Sequence, residues 1–407
     1  MIEAAAAKQR SPSPRRLARL REWLDSSSGS WRPVLVSRRL AEVLDLVGEW
    51  ARAESVLSGA IVAAGESGKG QLAGLKSDLA RLLQHRGDSR RALALLQEAA
   101  KECEQSVDAA HLCQVLGGMG TAYRHGGDYA KALECHRRQL ALAERLGDLG
   151  LAAQAHSAIG NLHADREEWE PALACFERRL AVNEQSDDLQ GTCLTLGNIG
   201  LMHLNQGGSG RAEQCFQRQL ALARRIGDRR LTATALGNLG ALCGTQGRIQ
   251  DARAHFERQL ELCQRLGDRR GVSGALGNIG ILLDGQGEHQ AAVRWFREKI
   301  SMCEELGDRR GLVIGHGRLA AALSAMSEVR EAEEHLNTAI GLARQLDIPG
   351  QLAELLLSRA RLPGRPIRGD DLCQARSLAA AAGRSGMLDE IETLLAAAGQ
   401  AEPGAST

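Results

Sequence analysis

From residue 113 onward the apolar positions of this chain recur with a period of 40. Counting from Cys113, Ala153, Cys193, Ala233 and Ser273, position 7 is Met119, Ile159, Ile199, Leu239 and Ile279. Position 20 is Ala132, Ala172, Ala212, Ala252 and Ala292. Position 24 is His136, Phe176, Phe216, Phe256 and Phe296, and position 28 is Leu140, Leu180, Leu220, Leu260 and Ile300. Positions 4, 7, 8 and 11 fall on one helical face, and 20, 24 and 28 on another, by the three-to-four spacing of amphipathic helices. Gly127, Gly207, Gly247 and Gly287, at position 15, mark a turn between the two. Each repeat is therefore predicted to be a helical hairpin, helix A followed by helix B.

The punctuation agrees. Gly147, Gly227, Gly267 and Gly307 suit a left-handed cap at the end of helix B. The next residue, Asp148, Asp228, Asp268 or Asp308, suits the N-cap of the following helix A. Pro171 fits the first turn of a helix B. The hexamer TLGNIG at 195–200 returns as ALGNLG at 235–240 and ALGNIG at 275–280. Each glycine in a helix interior costs about 1 kcal/mol against alanine, so it needs a structural return. The second glycine, Gly200, Gly240 or Gly280, sits at position 8 and is expected to let helix B approach closely. The first glycine and the asparagine, positions 5 and 6, are expected to point away from helix B.

The frame extends outward with decay. Repeats starting at Val34 and Ala73 keep Ala53 and Ala92 at position 20, and one starting at Val313 keeps Ala332. The predicted organisation is a disordered basic tail over 1–15, a helix and linker over 16–33, and eight repeats of about 40 residues over 34–351. A degenerate repeat with a C-terminal capping helix follows over 352–398, interrupted by Pro363 and Pro366, and a disordered tail over 399–407.

The pattern from Leu196 to Leu220, L-x-x-I-G-x-x-x-x-x-x-G-x-x-x-x-A-x-x-x-F-x-x-x-L, resembles the signature of the tetratricopeptide repeat family. The spacing of 40 and the Gly-Asp that replaces a closing proline are most similar to the long-repeat subgroup of Pins-type signalling modulators and bacterial regulators. The resemblance implies an all-α, right-handed superhelical solenoid of antiparallel hairpins whose helices A line a concave groove. By that analogy Asn198, Asn238 and Asn278 form a ladder along the groove floor, and Arg318 takes the asparagine's place in the last good repeat. Asn161, Leu201 and Ile281 at position 9, and Asp165 and Asn205 at position 13, complete the candidate site. An amide both donates and accepts, so it suits a peptide backbone; the other reading is that each asparagine bonds a neighbouring repeat. Apolar residues mixed with amides point to an extended or helical peptide, and a strongly acidic one would call for more Lys and Arg along helix A.

Composition narrows the classes. The chain has 407 residues, is 43% hydrophobic and carries a net charge of +1. That balance gives no reason to expect nucleic acid or an anionic membrane as partner. The N-terminus has no apolar signal core and no run approaches a membrane span. A cytoplasmic protein with reduced thiols is expected. The ten cysteines fall in different repeats with no CxxC pair, so buried structural thiols are expected, not a metal site. The stretch AAGESGKGQ at 63–71 lacks the spacing of a phosphate loop, with Gly70 where Ser or Thr is needed. The Arg pairs 229–230, 269–270 and 309–310 are expected to pair with acids such as Glu304 and Glu305 or with the capping aspartates. No catalytic constellation, metal or cofactor is expected. The favoured function is a non-enzymatic adaptor binding a partner's peptide segment in the groove; the alternative is a peptide- or ligand-sensing regulator that changes conformation. Partner identity and oligomeric state are open.

Overall fold

A computed structural model describes residues 32–400, apart from 47–48, 68–71, 86–87, 107 and 365–367. The tail assigned to 1–15, nearly all of the helix and linker assigned to 16–33, and residues 401–407 lie outside the described residues. Among the described residues there are nineteen helices and no strand. They run α1 (Arg32–Leu46), α2 (Trp50–Ser67), α3 (Leu72–His85), α4 (Ser89–Ser106), α5 (Ala109–His125) and α6 (Tyr129–Leu146). Next come α7 (Leu149–Asp165), α8 (Trp169–Gln185), α9 (Leu189–Asn205), α10 (Ser209–Arg225), α11 (Arg229–Thr245) and α12 (Ile249–Leu266). The described residues end with α13 (Arg269–Gly285), α14 (His289–Leu306), α15 (Arg309–Ala325), α16 (Val329–Leu346), α17 (Pro349–Ala360), α18 (Gly369–Ala382) and α19 (Ser385–Gln400).

Every helix packs on the next, and most odd-numbered helices between α1 and α15 also touch the next odd-numbered helix. Successive even-numbered helices make no comparable contact. Helices A therefore form the inner rank of the solenoid and helices B the outer one. The helix ends follow the local chemistry expected of them. Asp148, Asp188, Asp228, Asp268 and Asp308 each accept the backbone N–H three residues on, at 2.8–3.0 Å. Gly147, Gly227, Gly267 and Gly307 have φ of 65–72° at the end of helix B, where a side chain would strain the backbone.

The hairpins close on small residues and phenyl rings. Ala172, Ala212, Ala252 and Ala292 have no exposed surface, and Phe216 and Phe296 none either. A Cβ built on Gly200 would stand 2.4 Å from Phe216 Cε1; on Gly240 it would be 2.5 Å from Phe256, and on Gly280 2.6 Å from Phe296. The second glycine of the hexamer is thus the contact point of helix A with its own helix B.

The coil also meets itself. Arg270 Nη2, at the start of α13, lies 3.1 Å from Asp45 Oδ1, 225 residues earlier, and its guanidinium stacks 4.3 Å from the centre of the Trp50 ring. Arg90 Nη2 lies 3.2 Å from Asp347 Oδ2, 257 residues away. Pro349 covers Gly127, and Arg384 Nε stands 3.8 Å from Glu167 Oε1. In each case the tip between helices A and B of one superhelical turn meets the tip between helix B and the next helix A of the following turn. This seam joins successive turns of the solenoid.

Candidate functional site

The inner face is built by the helix A positions that neither helix B nor the next repeat covers. Leu194, Ile281 and Ile314 are large apolar residues more than 40% exposed there. Leu201 is half-buried, packed between the cores of neighbouring repeats, and Asn161 is half-buried too. Asn205 and Arg318 are exposed. Asp165 is held by Arg124 through two bonds, Nε–Oδ2 at 2.5 Å and Nη2–Oδ1 at 3.0 Å, so its charge is already answered.

Asn198, Asn238 and Asn278 are half-buried, and the last two reach across the repeat boundary. Asn238 Nδ2 donates to Gln219 Oε1 at 3.0 Å, and Asn278 Nδ2 to Gln259 Oε1 at 3.3 Å. Each therefore ties its own helix A to helix B of the preceding repeat through a glutamine side chain. The first glycine of the hexamer does not point away from helix B. Gly197 and Gly237 are buried, and a Cβ on them would meet Gln219 Nε2 at 2.6 Å and Gln259 Nε2 at 2.8 Å. The reason is that helix B runs antiparallel along helix A: Gln219, one turn after Phe216, lies against position 5 as Phe216 lies against position 8.

These glutamines belong to a column that the period in apolar residues passes over. Position 27, just before the leucine at 28, reads Gln139, Arg179, Gln219, Gln259 and Lys299. Gln139, Gln219 and Lys299 are under 9% exposed, and Arg179 is half-buried. A polar residue recurring beside an apolar one on a buried helical face was the available signal. Gln139 lines a cavity of about 560 Å3 in the groove, with Asp78, Arg81, Gln114, Thr121 and Gln154 on its walls and Gly117 and Gly118 in its floor. Gln139 therefore borders the groove, and at the same register Arg179 meets Ser157 and Lys299 passes Gly277, both at position 5 of helix A. A shallower depression of about 830 Å3, by Ser327–Glu334 and Pro363–Gly364, lies at a helix tip outside it.

Burial pushes the thiols of Cys103, Cys113, Cys193 and Cys263 up to about 11, far from a reactive thiolate. Among the described residues no three metal-ligating side chains converge, and no helix is long and apolar enough to cross a membrane. Of the Arg pairs, Arg269 meets Glu305 and Arg230 lies 3.9 Å from Asp268, as expected, but Arg270 goes to the seam. Residues 63–67 end helix α2, a setting without the strand that precedes a phosphate loop.

The tetratricopeptide-repeat family model matches residues 111–185, 191–265 and 245–305, and a second model of the same repeat matches 72–112. This chain is a tetratricopeptide-repeat protein. No curated protein sequence matches it significantly. Among solved structures, the tetratricopeptide-repeat chain is similar to a Rap protein complexed with Competence and Sporulation Factor, with a TM-score of 0.56 and 14% identity over 91% of this chain and all of that one. The quorum sensor NprR from B. thuringiensis, in its apo form, gives 0.54 and 14% identity over 84% of this chain and 96% of that one. The apo form of RapI gives 0.52 and 13% over 67% and 98%. At these identities the likeness is one of fold. Nothing in it singles out a Pins-type subgroup.

Proposed function

We propose that this tetratricopeptide-repeat protein is a non-enzymatic binding module that holds a peptide segment of a partner along its inner face. The observation that supports the reading is the exposure of Leu194, Ile281 and Ile314 on the same rank of helices that buries Leu196, Ile199, Leu236, Leu239, Leu276 and Ile279. Apolar anchors among amides are what an extended peptide needs: side chains to seat and backbone groups to satisfy. One structural relative is complexed with Competence and Sporulation Factor and another is named a quorum sensor, which agrees with this reading.

The test is to pan a phage-displayed library of random dodecapeptides against the full chain. Recovered peptides should lose binding to Leu194→Asp and Ile281→Asp variants whose circular dichroism is unchanged. Peptides that bind both variants as well as the parent would refute the inner face as the site.

A second reading, a sensor that changes shape on binding, is favoured by the seam. Arg270, Arg90 and Arg384 join turns of the coil through ion pairs, so a ligand that alters the pitch must break or re-form them. Small-angle scattering with and without a recovered peptide distinguishes the two readings. A constant radius of gyration supports the static adaptor, and a change supports the sensor.

A further inference from the structure

Two cations in the column under the groove have no anion within ion-pair distance. Arg179 Nη1 donates to Ser157 Oγ at 2.6 Å, while its Nε is buried with no partner. Lys299, 8% exposed, donates to the backbone oxygen of Ser273 at 3.2 Å and to its Oγ at 3.3 Å. Among the described residues no carboxylate stands within 4.0 Å of either. By contrast Lys76, equally buried, holds Glu98 at 2.9 Å and Glu102 at 2.8 Å. Taking a charge out of water without a counter-charge is costly. The chain has a less costly solution at the same register, because the repeats between them carry Gln219 and Gln259.

We infer that the groove takes an acidic peptide, with one carboxylate answering Arg179 and another answering Lys299, three repeats further along. The inference rests on the reading of the inner face as a peptide site and adds the chemistry of the partner. Leu194 lies near the first cation in register and Ile281 near the second, so the segment combines acidic with apolar residues. Arg318, exposed one repeat beyond Lys299, extends the positive side of the groove. The neighbouring acidic residues do not cancel this: Asp165 is spent on Arg124, Asp78 on Arg38 at 2.5 Å, and Asp188, whose charge reaches Arg179 only from beyond ion-pair distance, caps α9 through the Gly191 N–H at 2.8 Å.

The register also supplies the test. Arg179→Gln and Lys299→Gln install the residue that neighbouring repeats already hold there. Dodecapeptides recovered from the random library on the full chain should be rich in Asp and Glu, and should bind more weakly as salt is raised. Each substitution should weaken them about ten- to a hundredfold, the loss of one charge-assisted hydrogen bond. The melting temperature should hold or rise, since a desolvated charge is removed. Groove-dependent peptides without acids, bound equally by both variants, would overturn this inference and leave the peptide site standing. Peptides indifferent to Leu194→Asp and Ile281→Asp would instead sink the peptide site itself. A fall in melting temperature with acidic-peptide affinity intact would assign both cations a purely structural role. Single-stranded DNA that binds the parent more tightly than the acidic peptides, and is lost in both variants, would also overturn the inference, in favour of a nucleic acid.

Discussion

Gly200→Ala and Gly274→Ala make the same chemical change in two helices A and should have opposite effects. In an open helix interior alanine is favoured over glycine by about 1 kcal/mol. Gly274 has nothing within 4 Å of where a Cβ would stand, so it should gain most of that. At Gly200 the new methyl would lie 2.4 Å from Phe216 Cε1, 2.7 Å from Cδ1 and 2.9 Å from Cζ. Ordinary contact needs about a further ångström. Phe216 has no exposed surface, so the ring cannot yield toward solvent, and the two helices must part. Overpacking of this kind costs about 1–3 kcal/mol. Set against the propensity gain, the net cost at Gly200 is about 0–2 kcal/mol, so the two variants should differ by roughly 1–3 kcal/mol. Repeat arrays unfold in a spread manner, so the change is best read locally, by native-state hydrogen exchange of the α9 and α10 amides for one variant and α13 and α14 for the other. Adding Phe216→Leu should relieve part of the Gly200→Ala defect. If Gly200→Ala protects its amides as well as Gly274→Ala does, the close approach of helices A and B is not what the glycine serves.

Two more expectations concern the groove and the pH response. Replacing Asn238 and Asn278 by Ala removes both ties to Gln219 and Gln259, at about 0.5–1.5 kcal/mol each, and should lower the melting temperature; a higher melting temperature with peptide binding lost would mean that the asparagines serve the partner instead. Burial and the adjoining His335 push the His316 pKa down to about 4, and burial lowers His136, His156, His203 and His255 in the same direction. An unfolded histidine titrates near 6.5, so below that pH the unfolded chain takes protons that the folded chain refuses. Stability should be full above about pH 6.5 and fall as the pH drops toward 4. Thermal melts between pH 7.5 and 4.5 check this, and His316→Gln should flatten part of the slope.

The hairpins were legible because every signal for them is local. Apolar spacing, Gly-Asp punctuation and the alanine–phenylalanine pair of helix B all act within one 40-residue unit, and the structure repeats that unit faithfully. Position 5 escapes a helical wheel, which has one centre, because helix A packs on two stretches of helix B, at Phe216 and at Gln219. Arg179 and Lys299 do not stand out in the sequence because each lies beside a leucine or isoleucine in a run of charges that reads as a solvated face. The seam could not be read at all. Which tip meets Arg270 depends on the small rotation between repeats, summed over more than 200 residues, and spacing along the chain says nothing of that angle.

The seam changes how this solenoid would answer a mechanical load. An open superhelix stretches like a soft spring, sharing extension as a slight change of angle at every repeat. Here the first increment of extension is opposed by discrete clasps, Arg270 on Asp45 and Trp50, Arg90 on Asp347, and Pro349 on Gly127. Tension applied at the two ends therefore meets a yield point before any elastic regime, and the coil lengthens only after its turns have come apart.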